Sequence, residues 1–317
     1  MSKYNDFGKC MTERELSDYF RDRKYGHTNF CHYTSLKVIN SILKNNRIWL
    51  SSVDGLNDKN DTSQFCVEDL QVCSDYFILC LSTGIHENLS LWYLYSGIEG
   101  KGGRIRVNQT GIRKIKDCMK LSLCVAKEDN IIRTVRELNP VSDYDLSFRD
   151  VIYYEYNKDD TVSCKYNNLT NWKCPSKAFD ELKDKEPGFA KKIIWYYEKE
   201  ERLVCKLKGP AHDLIQSKLS DGEKYVVCLR FDDSCLKHMR VDLAPGIANL
   251  SDVPREFDAI WRLIESKAVV RTSMYKDEIK FNLVSERKDR IFSTVKEVDG
   301  RFRTMEYTAN GWNMVKE

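Results

Sequence analysis

The run Trp195-Tyr196-Tyr197-Glu198-Lys199-Glu200-Glu201-Arg202, followed by Leu203-Val204-Cys205, carries the densest set of side chains suited to chemistry in this chain. A strand beginning near Glu198 has a side-chain period of two. Glu198, Glu200 and Arg202 then share one face, and Lys199, Glu201 and Leu203 the other. Two carboxylates beside a guanidinium can act as an acid and base, or can stabilise developing positive charge. Glu201 and Lys199 are expected to form a solvated charged edge.

A second constellation is His32-Tyr33-Thr34-Ser35, where an apolar strand hands over to a helix. Unpaired backbone N–H groups and the positive end of the helix dipole suit an anion such as a pyrophosphate there. Ser35 is equally explained as a helix cap, and His32 as a hydrogen-bonded core residue. A third is Asn57-Asp58 with Asp61, whose commoner use is a turn that satisfies its own backbone; an EF-hand spacing and closing Glu are absent. Trp92 and Tyr95, three apart, are expected on one helix face as core aromatics, with Tyr95 beside a Ser-Gly turn able to line a pocket. Gly102-Gly103 matches neither phosphate-binding glycine pattern, and no G-x-S-x-G elbow is present.

The elements that must position these groups are mixed. Strands are expected at Asn29 to Tyr33, Ile48 to Leu50, Tyr76 to Leu81, Gly103 to Val107, Val151 to Tyr156, Arg202 to Leu207 and Tyr225 to Phe231. Helices are expected over residues 12–24, after Ser35 to Asn45-Asn46, and at Asn88 to Tyr95, Thr110 to Lys116, Phe189 to Tyr197 and Pro254 to Ser266. This irregular order lacks the alternation of a doubly wound parallel sheet and predicts an α+β fold. Residues 157–188, polar and holding Asn167-Asn168, Pro175 and Pro187, are expected to be an insertion or lid. Beyond Asp277, alternating segments flank Asp299-Gly300, a hairpin signal. The expected division is a core over 1–231 and a C-terminal elaboration over 232–317 packed on it.

Bulk properties exclude some classes. The 317-residue chain carries 51 Lys+Arg against 48 Asp+Glu, a formal net charge of +3, which argues against a purely electrostatic nucleic-acid binder. Local basic pairs such as Arg104 with Arg106, or Arg301 with Arg303, could still form clusters. The N-terminal residues lack a secretion-signal pattern and no long uncharged apolar run occurs, so a cytoplasmic protein with no membrane partner is expected. The 12 cysteines are scattered without a C-x-x-C pair, and the five histidines do not pair with them at zinc spacing. Reduced, mostly buried thiols and no metal are the expectation.

In order, the HYTS start, a helix running into IL-x-x-x-x-IWLS, ND-x-x-D, CLS, LW-x-x-Y and W-x-YEKE-x-R resemble a bacterial domain family of unknown function found among phage-defence and toxin-like genes. The match spans Asn29 to Leu207, with Asp61 where that family usually has Glu. The family is in turn similar to the ADP-ribosyltransferases. The resemblance implies a split β-sheet with peripheral helices, NAD as substrate, and transfer of ADP-ribose to a macromolecular acceptor in phage defence. RNA or DNA is slightly favoured over protein as acceptor, since Tyr153, Tyr154, Tyr156 and Trp172 could stack on bases. A neutralising antitoxin is a further implied partner. By the same resemblance His32, Tyr33, Thr34 and Ser35 hold the cofactor with Arg202, and Tyr95 stacks on nicotinamide. Glu200 is the catalytic carboxylate, with Glu198 completing an E-x-E pair. An NAD glycohydrolase using the same pocket, and a non-catalytic nucleic-acid or protein binding module, are the alternatives.

Overall fold

The computed structural model describes residues 29–53, 75–84, 86–96, 101–128, 130–166, 170–185, 188–266 and 270–276, and the backbone of strands within 279–314. The expected helix over 12–24 and the Asn57-Asp58 loop lie outside the described residues. The fold is α+β, with a large mixed, mostly antiparallel sheet, smaller sheets and peripheral helices. In chain order the strands begin with β1 (Asn29–Ser35), β2 (Arg47–Ser52), β3 (Tyr76–Thr83), β4 (Gly102–Asn108), β5 (Lys120–Lys127), β6 (Asn130–Glu137) and β7 (Tyr144–Asp150). There follow β8 (Ile152–Tyr156), β9 (Thr161–Tyr166), β10 (Thr170–Pro175), β11 (Ala190–Lys192), β12 (Glu200–Leu207), β13 (Glu223–Arg230), β14 (Met239–Leu243) and β15 (Val270–Arg271). The helices are α1 (Leu36–Asn45), α2 (Leu89–Tyr95), α3 (Gln109–Cys118), α4 (Ser176–Lys185), α5 (Gly209–Ile215) and α6 (Asp258–Glu265).

Two compact units share the described chain. The first is drawn from Ile48–Leu81 and Met119–Arg230. Within it β3, β2, β13, β5 and β6 pair in that order, and β12 pairs with both β3 and β7. The β5–β13 register is unbroken from Glu223 opposite Lys127 to Arg230 opposite Lys120, and its centre, Leu123, Val125 and Val227, is fully buried. A separate sheet, β10-β9-β8-β11, carries α4. Its core is Ile152, Tyr154, Val162, Cys164, Cys174, Phe179 and Ala190. The segment 157–188, expected as an insertion or lid, is therefore built of two strands and a helix with apolar contacts of their own.

The second unit is drawn from His27–Arg47, Ser82–Cys118 and Phe231–Glu317. Strand β1 pairs antiparallel with β4 along its whole length, from Asn29 opposite Asn108 to Ser35 opposite Gly102. On its other side Phe30 and Cys31 face Thr83 and Ser82. Strand β14 continues the sheet antiparallel to β4 and is joined by β15 in parallel. Helix α1 starts where Ser35 accepts from the Val38 N–H at 3.3 Å and stops at Asn46 in the left-handed region, φ 49°. Its buried face is Leu36, Ile39, Ile42 and Leu43, the near-helical spacing visible in the sequence. Further strands β16 (Ile279–Lys280), β17 (Ile291–Lys296), β18 (Phe302–Thr308) and β19 (Gly311–Met314) form an antiparallel sheet, with β17 and β18 the expected hairpin across Asp299-Gly300.

Several expectations are corrected. The helix expected at Phe189 to Tyr197 is instead the short strand β11 and a 3-10 turn, Ile193–Glu198. An apolar run of this length is ambiguous between periods, and β11 is held in place by parallel pairing with β8. Helix α6 begins at Asp258 rather than Pro254, after a turn in which the Phe257 N–H donates to the Pro254 carbonyl. Strands β5, β6, β7 and β14 were not among the expected elements.

Candidate functional site

In the first unit the chain between β11 and β12 folds back on itself. The 3-10 turn Ile193–Glu198 ends at Lys199, whose left-handed conformation (φ 44°) reverses the backbone into β12. Glu198 is thus the last residue of the turn, and the strand begins at Glu200 rather than near Glu198. The expected alignment of Glu198, Glu200 and Arg202 on one strand face is replaced by a tighter grouping around Lys191, from β11. The Lys191 Nζ lies 2.6 Å from Glu198 Oε2 and 3.4 Å from Glu200 Oε2. Arg202 grips Glu200 in a fork, Nε to Oε1 at 2.8 Å and Nη2 to Oε2 at 3.0 Å, while its Nη1 donates to the Gly188 carbonyl at 2.8 Å. The Glu200 N–H donates to the Tyr153 hydroxyl at 2.8 Å. All of these side chains are buried.

Burial and charge act on the two carboxylates in opposite ways. Burial dominates at Glu198 and pushes its pKa up to about 7, against the pull of Lys191 and with the help of the Glu200 charge. Burial would raise Glu200 as well, but Arg202 and then Lys191 outweigh it and hold that carboxyl at about 2. Glu200 is a fixed anion, and Glu198 exchanges its proton near neutrality. Such a pair, pushed apart by its surroundings, has the division of labour that acid–base chemistry requires. Burial also raises the Tyr153 hydroxyl and the Cys80 thiol, each with a further contribution from Glu200, so both keep their protons. Glu201, expected at a solvated edge, is 1% exposed. The reason is that β12 is an interior strand, paired on both sides, with Glu200, Glu201 and Arg202 buried in succession.

The remaining candidate residues lie in the second unit. Tyr33 is buried, and its hydroxyl accepts from Arg104 Nη1 at 2.8 Å and from the Asn88 N–H at 3.1 Å. Its ring meets Trp92 edge-on at 4.7 Å. Arg104 also donates to Asp242 at 2.8 Å and to the His86 carbonyl at 2.9 Å. The Arg104 and Arg106 pair is therefore no surface cluster: Asp242 accepts from Arg104 Nε at 2.8 Å and pairs with the Arg106 charge, whose Nε stands 3.7 Å away, beyond hydrogen-bond reach. His32 and Thr34 are half-buried on β1, opposite Ile105 and Gly103. Gly103 packs closely there, since a Cβ would lie 2.7 Å from the tip of Ile39, Cδ1, and 3.1 Å from the Asp242 carbonyl. Ser35 is the exposed cap of α1. Trp92 is fully buried while Tyr95, at the end of α2, is 37% exposed, so the two do not share one environment. Trp92 donates to Glu87 Oε2 at 3.0 Å, and the other Glu87 oxygen takes the Met274 N–H at 2.9 Å.

The grouping places Glu198, Glu200 and Arg202 together in the first unit, and His32, Tyr33, Thr34, Ser35 and Tyr95 in the second. Sequence reasoning missed Lys191 and Tyr153 as members of the carboxylate cluster. Lys191-Lys192 looks like a solvated pair, and only the reversal at Lys199 returns the chain to it. The proposed stacking platform is also corrected: Tyr153 and Tyr154 are core residues, and only Tyr156 is exposed. The Trp172 side chain lies outside the described residues. Among the described residues, no His, Cys, Asp or Glu group is arranged to hold a metal, and no helix is long and apolar enough to cross a membrane. Compared with known proteins, the chain matches no family model, no curated protein and no solved structure.

Proposed function

We propose that this chain is a toxin-like ADP-ribosyltransferase that transfers ADP-ribose from NAD to a macromolecular acceptor in phage defence, on a split-sheet scaffold. The observation that carries the reading is the buried pair Glu198 and Glu200, both reached by Lys191 Nζ and the second gripped on both oxygens by Arg202. Cleaving the nicotinamide–ribose bond develops oxocarbenium-like charge on the sugar, and a fixed carboxylate stabilises that state more than the ground state. Glu200 supplies this charge. Glu198 takes the proton from the acceptor nucleophile as it attacks the sugar carbon, a task suited to a group that titrates near neutral pH. Arg202 is a positioning residue that keeps Glu200 ionised. The nucleotide-holding role of His32, Tyr33, Thr34, Ser35 and Tyr95 belongs to the same proposal and is tested separately.

The burial of the cluster favours a second reading. Each of Lys191, Glu198, Glu200 and Arg202 has a charged partner within the cluster, as a structural network in a non-catalytic binding module would have. Glu200→Gln separates the two. On the transferase reading the variant, isolated as folded protein, loses nicotinamide release by about 10²- to 10³-fold. Normal release in Glu200→Gln would falsify the assignment. Absence of any NAD turnover, and of NAD-dependent thermal stabilisation, by the wild-type chain would favour the binding module. Incubation with labelled NAD and a bacterial lysate, followed by protease or nuclease, identifies the acceptor. Release that needs no acceptor points to a glycohydrolase.

A further inference from the structure

Outside that cluster, the strongest unexplained grouping of reactive side chains is a pair of thiols in the second unit. Cys118 is the last residue of α3, and Cys235 sits in the 3-10 turn Asp233–His238. Their Sγ atoms lie 3.6 Å apart although 117 residues separate them in the chain. Cys118 is partly exposed and Cys235 fully buried.

Close approach of α3 to the turn is built into the helix. A Cβ on Gly111 would stand 2.7 Å from His238 Cβ and 2.7 Å from Val107 Cγ1, so only glycine lets the helix settle there. Gly111 precedes Cys118 by two helical turns and shares its face. The helix face that Gly111 seats against the turn is thus the face that carries Cys118. A disulfide bond is about 2.05 Å long. The sulfurs must close by roughly 1.5 Å to reach that length, a movement within reach of side-chain rotation.

The other close cysteines make a useful contrast. Cys124 faces Val226 while Cys228 faces Ser122, and Cys164 faces Trp172 while Cys174 faces Val162. Each pair is thus diagonal across antiparallel strands, where Cα atoms lie about 7–8 Å apart, beyond the span of about 4.4–6.8 Å that a disulfide bridges. All four are also at most 1% exposed, so reagents do not reach them.

We propose that Cys118 and Cys235 form a dithiol that small-molecule disulfides oxidise to an intramolecular disulfide, pinning α3 to the 3-10 turn. The partly exposed Cys118 reacts first, as its thiolate. It attacks one sulfur of the reagent R–S–S–R, the reagent's S–S bond breaks, and one thiol R–SH leaves after taking up a proton. Cys235 then attacks Cys118 Sγ in the mixed disulfide and expels the second R–SH. The protein loses two protons and two electrons, and the reagent gains both. Burial and the hydrogen bond to Cys118 keep Cys235 protonated until that step, consistent with its role as the resolving thiol.

The test uses the reduced full chain, treated with glutathione disulfide, quenched by alkylation, digested without reductant and analysed by mass spectrometry. The expected product is one cross-linked peptide pair joining Cys118 to Cys235, in a protein lighter by two hydrogens. Cys235→Ser should stop at the mixed disulfide, with glutathione retained on Cys118. Cys118→Ser should yield no cross-link to Cys235. The oxidised wild-type chain should melt at a higher temperature than the reduced one, because the new bond closes a long loop, and Cys118→Ser should show no such shift. Glutathione retained on wild-type Cys118, a cross-link confined to another pair, or no reaction at Cys118 would overturn the proposal. None of these readouts depends on NAD, so the result is independent of the transferase assignment.

Discussion

Glu198 and Glu200 differ by two positions and by their charge state, and the cause is local. Arg202 occupies both oxygens of Glu200, whereas Glu198 pairs with the Lys191 ammonium in a buried setting. Removing the guanidinium leaves Glu200 buried without its fork. Arg202→Met is expected to cost about 3–5 kcal/mol in urea unfolding. The pH dependence follows from the directions of the two shifts. Glu198 has its folded pKa raised, to about 7, so its contribution is full at low pH and is lost as pH rises from the ordinary carboxylate range through neutrality. Glu200 has its folded pKa depressed, so its contribution is present above the ordinary carboxylate range and is lost as pH falls towards about 2. Stability should therefore decline between about pH 5 and 7 in the wild-type chain, and Glu198→Gln should flatten that decline. An unchanged slope in the variant would place the titrating group elsewhere. None of this was visible in the run YEKEERLV, because Lys191 reaches the two carboxylates, and Tyr153 the Glu200 backbone N–H, through space.

At the scale of elements, α1 and α3 show what local signals decide. Ser35 caps α1 and Asn46 ends it, as a Ser before an apolar helical pattern and an Asn pair after it suggest. Ser35→Ala should lower stability by about 1 kcal/mol, and Ser35→Asp should not. If Ser35 also holds the nucleotide, both variants lose NAD-dependent thermal stabilisation; if it only caps, Asp retains it. Helix α3 presents a competition. Gly→Ala inside a helix ordinarily gains about 1 kcal/mol from propensity. At Gly111 the new Cβ would press on Val107 and on the Cβ of His238, neither the free end of a flexible chain. Overpacking of that kind costs about 1–3 kcal/mol, so Gly111→Ala should be net destabilising in thermal or denaturant unfolding. The strand-to-turn boundary at Glu198 is the contrasting case, since its position depends on a left-handed Lys199 that no residue preference announces.

For the molecule as a whole, near-balanced charge sets how an acceptor would be bound. With a formal net charge of +3, and with Arg104 and Arg106 drawn onto Asp242, long-range attraction to polyanions is weak. Binding to random-sequence DNA should be negligible in a filter or fluorescence assay at about 0.15 M salt, with a shallow salt slope below it. By itself the sequence determined the α+β class, the caps of α1, the strands β1, β2, β3, β4, β8, β12 and β13, and the pairing of strands around Asp299-Gly300. Each of these is written in local periodicity, turn chemistry or capping, which act over a few residues. The tertiary structure alone decided that β5, β6 and β7 are strands, that Glu201 and Tyr153 are buried, that Tyr33 serves Arg104 and Asn88, and that Lys191 joins the two carboxylates. Those outcomes depend on which distant segments cover a face or donate to an atom, and side-chain spacing along the chain does not encode that.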